Sequence, residues 1–313
     1  MRTVLVTGAA GFIGSHVCEA LLRRGERVRG LDNFDPFYDP ALKRRNVEEV
    51  RRAGEFPVAE ADVRDAEAVR AALAGCDAVL HLAAKAGVRP SLRDPVAYAD
   101  VNVRGTAVVL EEALRAGVKT FVAASSSSVY GARSRVPFAE SDPCDRPVSP
   151  YAATKRAMEL LCLARQAHTG IDLACLRFFT AYGPRQRPEM AIHSFARAIE
   201  DGKPIVVHGD GSSARDYTYI DDIVEGVVRA MDRSRGFRIY NLGESRTTTL
   251  ADLVAMIERA LGKKASVDRR PDQPGDVPLT CADVSLARAE LGYEPKVPIE
   301  EGLERFVAWM RSR

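Results

Sequence analysis

Short apolar runs alternate with longer stretches of helical spacing through the first half of this chain, and that rhythm limits its fold more than any other feature. The runs are Thr3–Val6, Val28–Leu31, Val58–Ala61, Ala78–Leu82, Thr120–Ala123 and Leu173–Phe178. Near-continuous apolarity in segments this short fits parallel strands covered on both faces. Between the first two runs, Ile13, Val17 and Leu21 share one helical face, and Gly25 supplies a stop. Alternation of this kind requires right-handed crossovers, so the expected fold is α/β, a doubly wound parallel sheet.

The rhythm changes after Phe179. A Pro/Arg-rich loop (Tyr182–Pro188) leads into helices with brief strand signals at Ile205–His208 and Phe237–Tyr240. The division expected is a sheet domain over 1–179 and a smaller mixed lobe over 180–313, closing over the sheet's carboxyl edge. Some segments of that lobe are expected to return to the first domain. No low-complexity linker or internal repeat separates the two, which predicts tight packing.

Composition narrows the function class. With 45 basic and 43 acidic residues, formally +2, nothing marks a nucleic-acid or membrane-surface partner. No apolar run reaches the roughly 18 residues of a membrane helix, and Val4-Leu5-Val6 runs into glycines rather than a signal-cleavage site. Six scattered cysteines without C-x-x-C suit reduced thiols in a cytoplasmic protein. The five histidines lack metal-ligand spacing, so no metal site is expected.

Thr7-Gly8-Ala9-Ala10-Gly11-Phe12-Ile13-Gly14 follows a strand and opens a helix. Glycines there permit a tight turn and close approach of a pyrophosphate, which the helix N-terminus attracts. Asp32 ends the second strand 18 residues after Gly14. An acid at that place accepts both ribose hydroxyls of NAD and repels the 2′-phosphate of NADP. Asn33 follows it. Asp62-Val63 closes the third run, where Asp62 could meet an adenine amino group or simply cap a helix. Leu82-Ala83-Ala84-Lys85 ends the fourth with side chains small enough to admit a dinucleotide. These strand ends together predict one NAD crevice.

Tyr151 and Lys155 stand four apart, just after Pro150, so both project from one face of a helix's first turns. A tyrosine has a reference pKa of about 10 and needs a neighbouring positive charge to act as a base at pH 7. Y-x-x-x-K alone is common on helix surfaces, and a polar loop would explain Ser125-Ser126-Ser127-Ser128 equally well. The succession of strand end, serine run and Tyr/Lys helix is more specific than either part.

That succession resembles the extended short-chain dehydrogenase/reductases of the sugar-nucleotide epimerase and dehydratase group, over essentially the whole length. The resemblance implies a Rossmann domain with NAD and a lobe that binds a UDP-sugar. It implies Ser126 as the catalytic serine, Tyr151 as the base and Lys155 on the nicotinamide ribose. Arg215, in Ala214-Arg215-Asp216-Tyr217, matches a residue that binds the UDP diphosphate. Dehydratases of the group carry an Asp-Glu pair where this chain has Ser127 and Ser128, and decarboxylases usually carry Glu at the first of them. What remains is 4-epimerisation.

The stretch Arg177–Ala191 closely resembles the signature of UDP-glucuronate 4-epimerases, which assigns Thr180 and Arg187 to the sugar carboxylate, with Ser127 and Ser128 completing the cradle. Arg185 could share that role, meet a phosphate or stand solvated. Glu189, where the family more often has Asp, is expected to cap the next helix. Arg89 and Asp276 match substrate-pocket positions, though a surface charge or a turn residue would look the same. Val207, within Val206–Gly209, is implied at the uracil pocket through backbone groups. A homodimer is expected from the family, through helices near Pro95–Arg115 and Tyr151–Gln166. Three rival functions stay open: a UDP-glucose/galactose 4-epimerase, a UDP-glucuronate decarboxylase and a non-catalytic NAD-binding sensor.

Overall fold

The structure, a computed structural model, describes residues 1–132, 135–271 and 277–313. The central sheet contains β1 (Thr3–Thr7), β2 (Arg27–Asp32), β3 (Val58–Glu60), β4 (Ala78–His81), β5 (Thr120–Ser126), β6 (Asp172–Phe178) and β7 (Phe237–Leu242). Its order is β7-β6-β5-β4-β1-β2-β3, and every neighbouring pair is parallel. Each apolar run of the first half is therefore a strand, correct to within three residues at its ends.

The alternation inside a run decides which layer a residue joins. Val4 and Val6 of β1 face one apolar layer, while Leu5 joins Leu31, Val79 and Phe121 in the other. All five residues of β1 are buried, as a strand between two helical layers must be. β3 departs from that pattern. It is the edge strand and exposes Ala59 and Glu60 to solvent.

Helix α1 (Phe12–Arg23) buries Val17, Cys18 and Leu21, and the chain turns at Gly25 with φ +85°. After α2 (Pro40–Arg51) and α3 (Ala66–Leu73) comes α4. It runs from Pro95–Ala99 through a π turn at Asp100–Arg104 into Gly105–Arg115. Helix α5 (Pro150–Thr169) starts at Ser149, whose hydroxyl accepts the Ala152 N–H at 3.1 Å, and ends at Gly170 with φ +67°. Pro150 fits at its first position because no intrahelical donor is needed there.

Beyond β6 the chain divides its work. Helix α6 (Ala191–Glu200) and three small strand pairs build the second layer of structure: Thr180–Tyr182 with Tyr217–Tyr219, Ile205–His208 with Val267–Arg270, and Ala214–Arg215 with Thr248–Thr249. Helix α7 (Ile220–Arg233) packs on α1, β5 and β6, and β7 then joins the sheet beside β6. No helix among the described residues is long and apolar enough to cross a membrane.

Candidate active site

Strand order reverses at β1, which pairs with β2 on one side and with β4 on the other. In open α/β sheets the carboxyl ends at that reversal leave a crevice. Here it is a cleft of about 520 Å³. Gly8, Gly11, Phe12, Ile13 and Gly14 form its floor. Gly8 adopts φ +68°, and a Cβ there would meet the Ala83 backbone N at 2.8 Å. A Cβ on Gly14 would meet the Gly8 carbonyl oxygen at 2.1 Å. Only glycine fits either place, because backbone cannot yield as a side chain can. No side chain caps α1, so its first-turn N–H groups remain as donors for an anion.

Asp32 lines the cleft, only 5% exposed. Its Oδ2 accepts the Ala10 N–H at 3.0 Å and its Oδ1 the Phe34 N–H at 2.8 Å. These bonds hold the carboxylate at the ribose end with lone pairs to spare. Lys43 Nζ lies 3.7 Å from Asp32 Oδ1 and 5.1 Å from the centre of the Tyr38 ring. Lys43, Tyr38, Phe37 and Asp35 all line the cleft and were not anticipated. The aromatic and proline-rich stretch Phe34–Pro40 was the available signal.

Asn33 and Val63 line the cleft as expected. Asp62 does not. Its oxygens accept from Arg64 Nε and Nη2, both at 2.8 Å, and from Asn33 Nδ2 at 3.1 Å. The bond from Arg64 leads the causes that hold its carboxyl down at about 2. Leu82, Ala83, Ala84 and Lys85 form the facing wall. Asn102, on the π turn, clamps that wall: its Oδ1 accepts the Lys85 N–H at 2.8 Å, and its Nδ2 donates to the Lys85 carbonyl at 3.0 Å and to Thr154 Oγ1 at 3.1 Å. An asparagine inside a helical stretch was the only hint of this role, and π turns often mark such sites.

Ser126, Tyr151 and Lys155 converge on the same cleft. Ser126 ends β5, and its Oγ accepts the Ser128 N–H at 3.2 Å. Burial pushes the Tyr151 phenol up, while a hydrogen bond with Ser126 and the charge of Arg187 pull it down. Lys155 Nζ donates to the Ala124 carbonyl at 2.7 Å, and burial lowers its pKa to about 8. Arg187 supplies a positive charge that favours the Tyr151 phenolate, while the Lys155 ammonium is held on the β5 carbonyl.

One turn beyond Lys155, the buried Glu159 ties the helix to the sheet. It accepts from Arg177 Nε and Nη2, both at 2.9 Å, from Arg156 Nη1 at 2.9 Å and from Ser125 Oγ at 2.6 Å. Arg177 also stacks on Tyr130, 4.7 Å from its ring centre. The elements carrying Ser126, Tyr151 and Lys155 are thus fixed to one ion pair.

Ser127, Ser128, Thr180, Arg187 and Arg215 also line the cleft. Ser128 Oγ is buried without a hydrogen-bond partner among the described residues, a hydroxyl placed for a ligand. Arg215 Nη1 donates to the Ala214 carbonyl at 3.0 Å. The acids among the described lining residues are Asp32 and Asp35, both at the ribose end.

The two loop arginines separate. Arg185, at φ +64°, donates to Glu49 at 2.8 Å and Glu19 at 2.6 Å, with its side chain 8% exposed. It is a tie between α1, α2 and the loop, and does not line the cleft. Arg187 does line it. Glu189 caps nothing: Met190 occupies the N-cap of α6 without a side-chain bond, and Glu189 pairs with Arg187 Nε at 2.9 Å instead. Arg89 sits beside the wall residue Val88 but is not itself on the wall. Val207 is 4% exposed, its side chain in the apolar core and its strand paired with Val267–Arg270, and it does not line the cleft. Asp276 lies outside the described residues.

The glycine cradle, the buried acid of β2 and the small-residue wall fit NAD, and the Ser–Tyr–Lys group lies where its nicotinamide end would reach. Fold and site together define a dinucleotide-binding enzyme of the short-chain dehydrogenase/reductase type. The chain belongs to the NAD dependent epimerase/dehydratase family, whose model matches residues 4–243. It is 46% identical to UDP-glucuronate 4-epimerase 5 of Arabidopsis thaliana, over 98% of this chain and 75% of that one. It superposes with a TM-score of 0.93 on the UDP-glucuronic acid 4-epimerase of Bacillus cereus in complex with UDP-glucuronic acid and NAD, at 36% identity and 99% coverage of both chains. The UDP-glucose 4-epimerase of Thermotoga maritima with UDP-glucose gives a TM-score of 0.91 at 33% identity, again over 99% of both chains.

Proposed function

We propose that this chain is an NAD-dependent UDP-glucuronate 4-epimerase, interconverting UDP-glucuronate and UDP-galacturonate through a 4-keto intermediate. The observation that carries the substrate choice is that Arg187 lines the same cleft as Tyr151, Thr180, Ser127 and Ser128. A guanidinium and three hydroxyls suit a carboxylate better than a neutral hydroxymethyl group. Relatives and solved structures carrying the same activity in their names support the choice.

When bound in the glycine and Asp32 cradle, NAD+ would supply a reversible hydride acceptor for C4. The chain's own residues do the rest. Tyr151, as phenolate, takes the proton of the 4-hydroxyl while Ser126 bonds the same oxygen, and Tyr151 gives the proton back after the sugar turns. Lys155, one helical turn on, contributes the positive charge that favours the phenolate once the dinucleotide lies against it. Arg215 takes the diphosphate. Beside Ser126 the described lining residues are Ser125, Ser127 and Ser128, hydroxyls where elimination of water would need an acid.

The division of labour we infer follows the chain: 1–179 with α7 and β7 carries NAD, and the remainder of 180–313 carries the sugar nucleotide. A cytoplasmic homodimer suits the free cysteines and the apolar side chains left exposed on neighbouring helices, Leu92, Val96, Leu160 and Leu163.

The test is incubation with UDP-glucuronate and, separately, UDP-glucose, without added NAD, followed by chromatography and mass analysis. UDP-galacturonate of unchanged mass is expected, with UDP-glucose turned over far more slowly. Preferential turnover of UDP-glucose would assign the neutral-sugar reaction instead, and a product 44 mass units lighter, about the mass of CO2, would assign decarboxylation.

A further inference from the structure

Oxidising C4 of a glucuronate makes a β-keto acid. If the C5–C6 bond aligns with the carbonyl π system, that bond breaks and its electron pair forms an enolate toward C4. CO2 departs, and a solvent proton then closes C5. An epimerase must prevent this alignment while the ring turns, so the group gripping the carboxylate has to be held in place itself.

The backbone under Arg187 is pinned on both sides. Gln186 Nε2 donates to the Ala181 carbonyl at 3.1 Å, and the Met190 N–H to the Arg187 carbonyl at 3.1 Å. Two contacts then fix the side chain. Glu189 Oε1 forms an ion pair with Nε at 2.9 Å, and the Phe37 ring lies 5.6 Å from the guanidinium carbon. Phe37 is 40% exposed, an aromatic ring that core packing does not account for. With an acid beside Nε and a ring on one face, the guanidinium is held where it lines the cleft, and its charge reaches Tyr151, Tyr98 and Tyr38. A planar fork held this way grips a carboxylate in one orientation.

We propose that Glu189 and Phe37 are positioning residues for Arg187 and set how faithfully the enzyme retains the substrate's carboxylate. The inference rests on the carboxylate role given to Arg187 above. Both side chains are about two-fifths exposed, so replacing them leaves the fold intact, and the melting temperature serves as the control.

The experiment measures KM for UDP-glucuronate and the ratio of UDP-pentose to UDP-galacturonate, by mass spectrometry, for wild type, Glu189→Ala, Glu189→Asp and Phe37→Ala. Glu189→Ala is expected to raise KM roughly tenfold and to raise the pentose fraction, because a loosened guanidinium loses orientation. Glu189→Asp restores both in large part, and Phe37→Ala raises the pentose fraction to a smaller degree. An unchanged ratio in Glu189→Ala and Phe37→Ala overturns the proposal, whether or not KM moves. So does a lower KM in Glu189→Ala, which would make Glu189 a competitor of the substrate. Wild-type protein inert toward UDP-glucuronate would instead defeat the function proposed above, which keeps the two failures apart.

Discussion

At the scale of single residues, the account turns on two titrating groups held four positions apart. Lys155 has an ordinary pKa of 10.5, and burial brings it down to about 8. Its charged form, the one that favours phenolate, exists below that value, so kcat should hold on the neutral side and fall as pH rises through about 8. A pH profile flat to pH 10 would contradict this. Tyr151→Phe removes the proton acceptor and little packing. It should lower kcat by roughly 10²- to 10⁴-fold with the melting temperature nearly unchanged, as steady-state kinetics and thermal unfolding would record. That Tyr151, Lys155 and Asp32 reach one cleft was legible in the sequence because helix and strand spacing fix where they point, while the resemblance singled out Ser126 within its serine run. The roles of Asp62, Asn102 and Glu189 were not legible. Their partners are Arg64, Lys85 and Arg187, and which of several polar neighbours a side chain meets depends on contacts that spacing does not encode.

Between elements, the two arginines of one loop make opposite demands. Arg185 bridges α1 and α2 through Glu19 and Glu49, and Glu49 also meets Arg313. Removing one partner of a buried pair leaves the others uncompensated. Arg185→Ala should therefore lose on the order of 3–5 kcal/mol of stability, read by denaturant unfolding, with no change in the ratio of products. A stable variant that leaked UDP-pentose would give Arg185 the role assigned here to Arg187. The apolar runs predicted the strands well, since a strand covered on both faces has little choice of composition. They did not reveal that Val58–Glu60 is an edge, nor that α4 contains a π turn. Both depend on what lies alongside.

The whole molecule is organised by the point where strand order reverses. The glycine turn, the β2 acid and the β5 serines all reach one cleft from that arrangement, and the late return of Phe237–Leu242 beside β6 forms the opposite edge of the sheet. That return was only partly legible, because β7 is no more than half-buried over its first half and carries no long apolar run. Exposed Val96, Leu160 and Leu163 predict a dimer of twice the 34.1 kDa chain mass by light scattering, and Leu160→Asp with Leu163→Asp should yield monomers. A wild-type monomer at micromolar concentration would refute that assembly. The central claim is that the hydrogen at C4 leaves as hydride and returns to the same carbon. UDP-glucuronate carrying deuterium at C4, incubated with the protein in ordinary water, should give UDP-galacturonate that keeps the deuterium at C4. Product with that deuterium exchanged for solvent hydrogen would contradict the account.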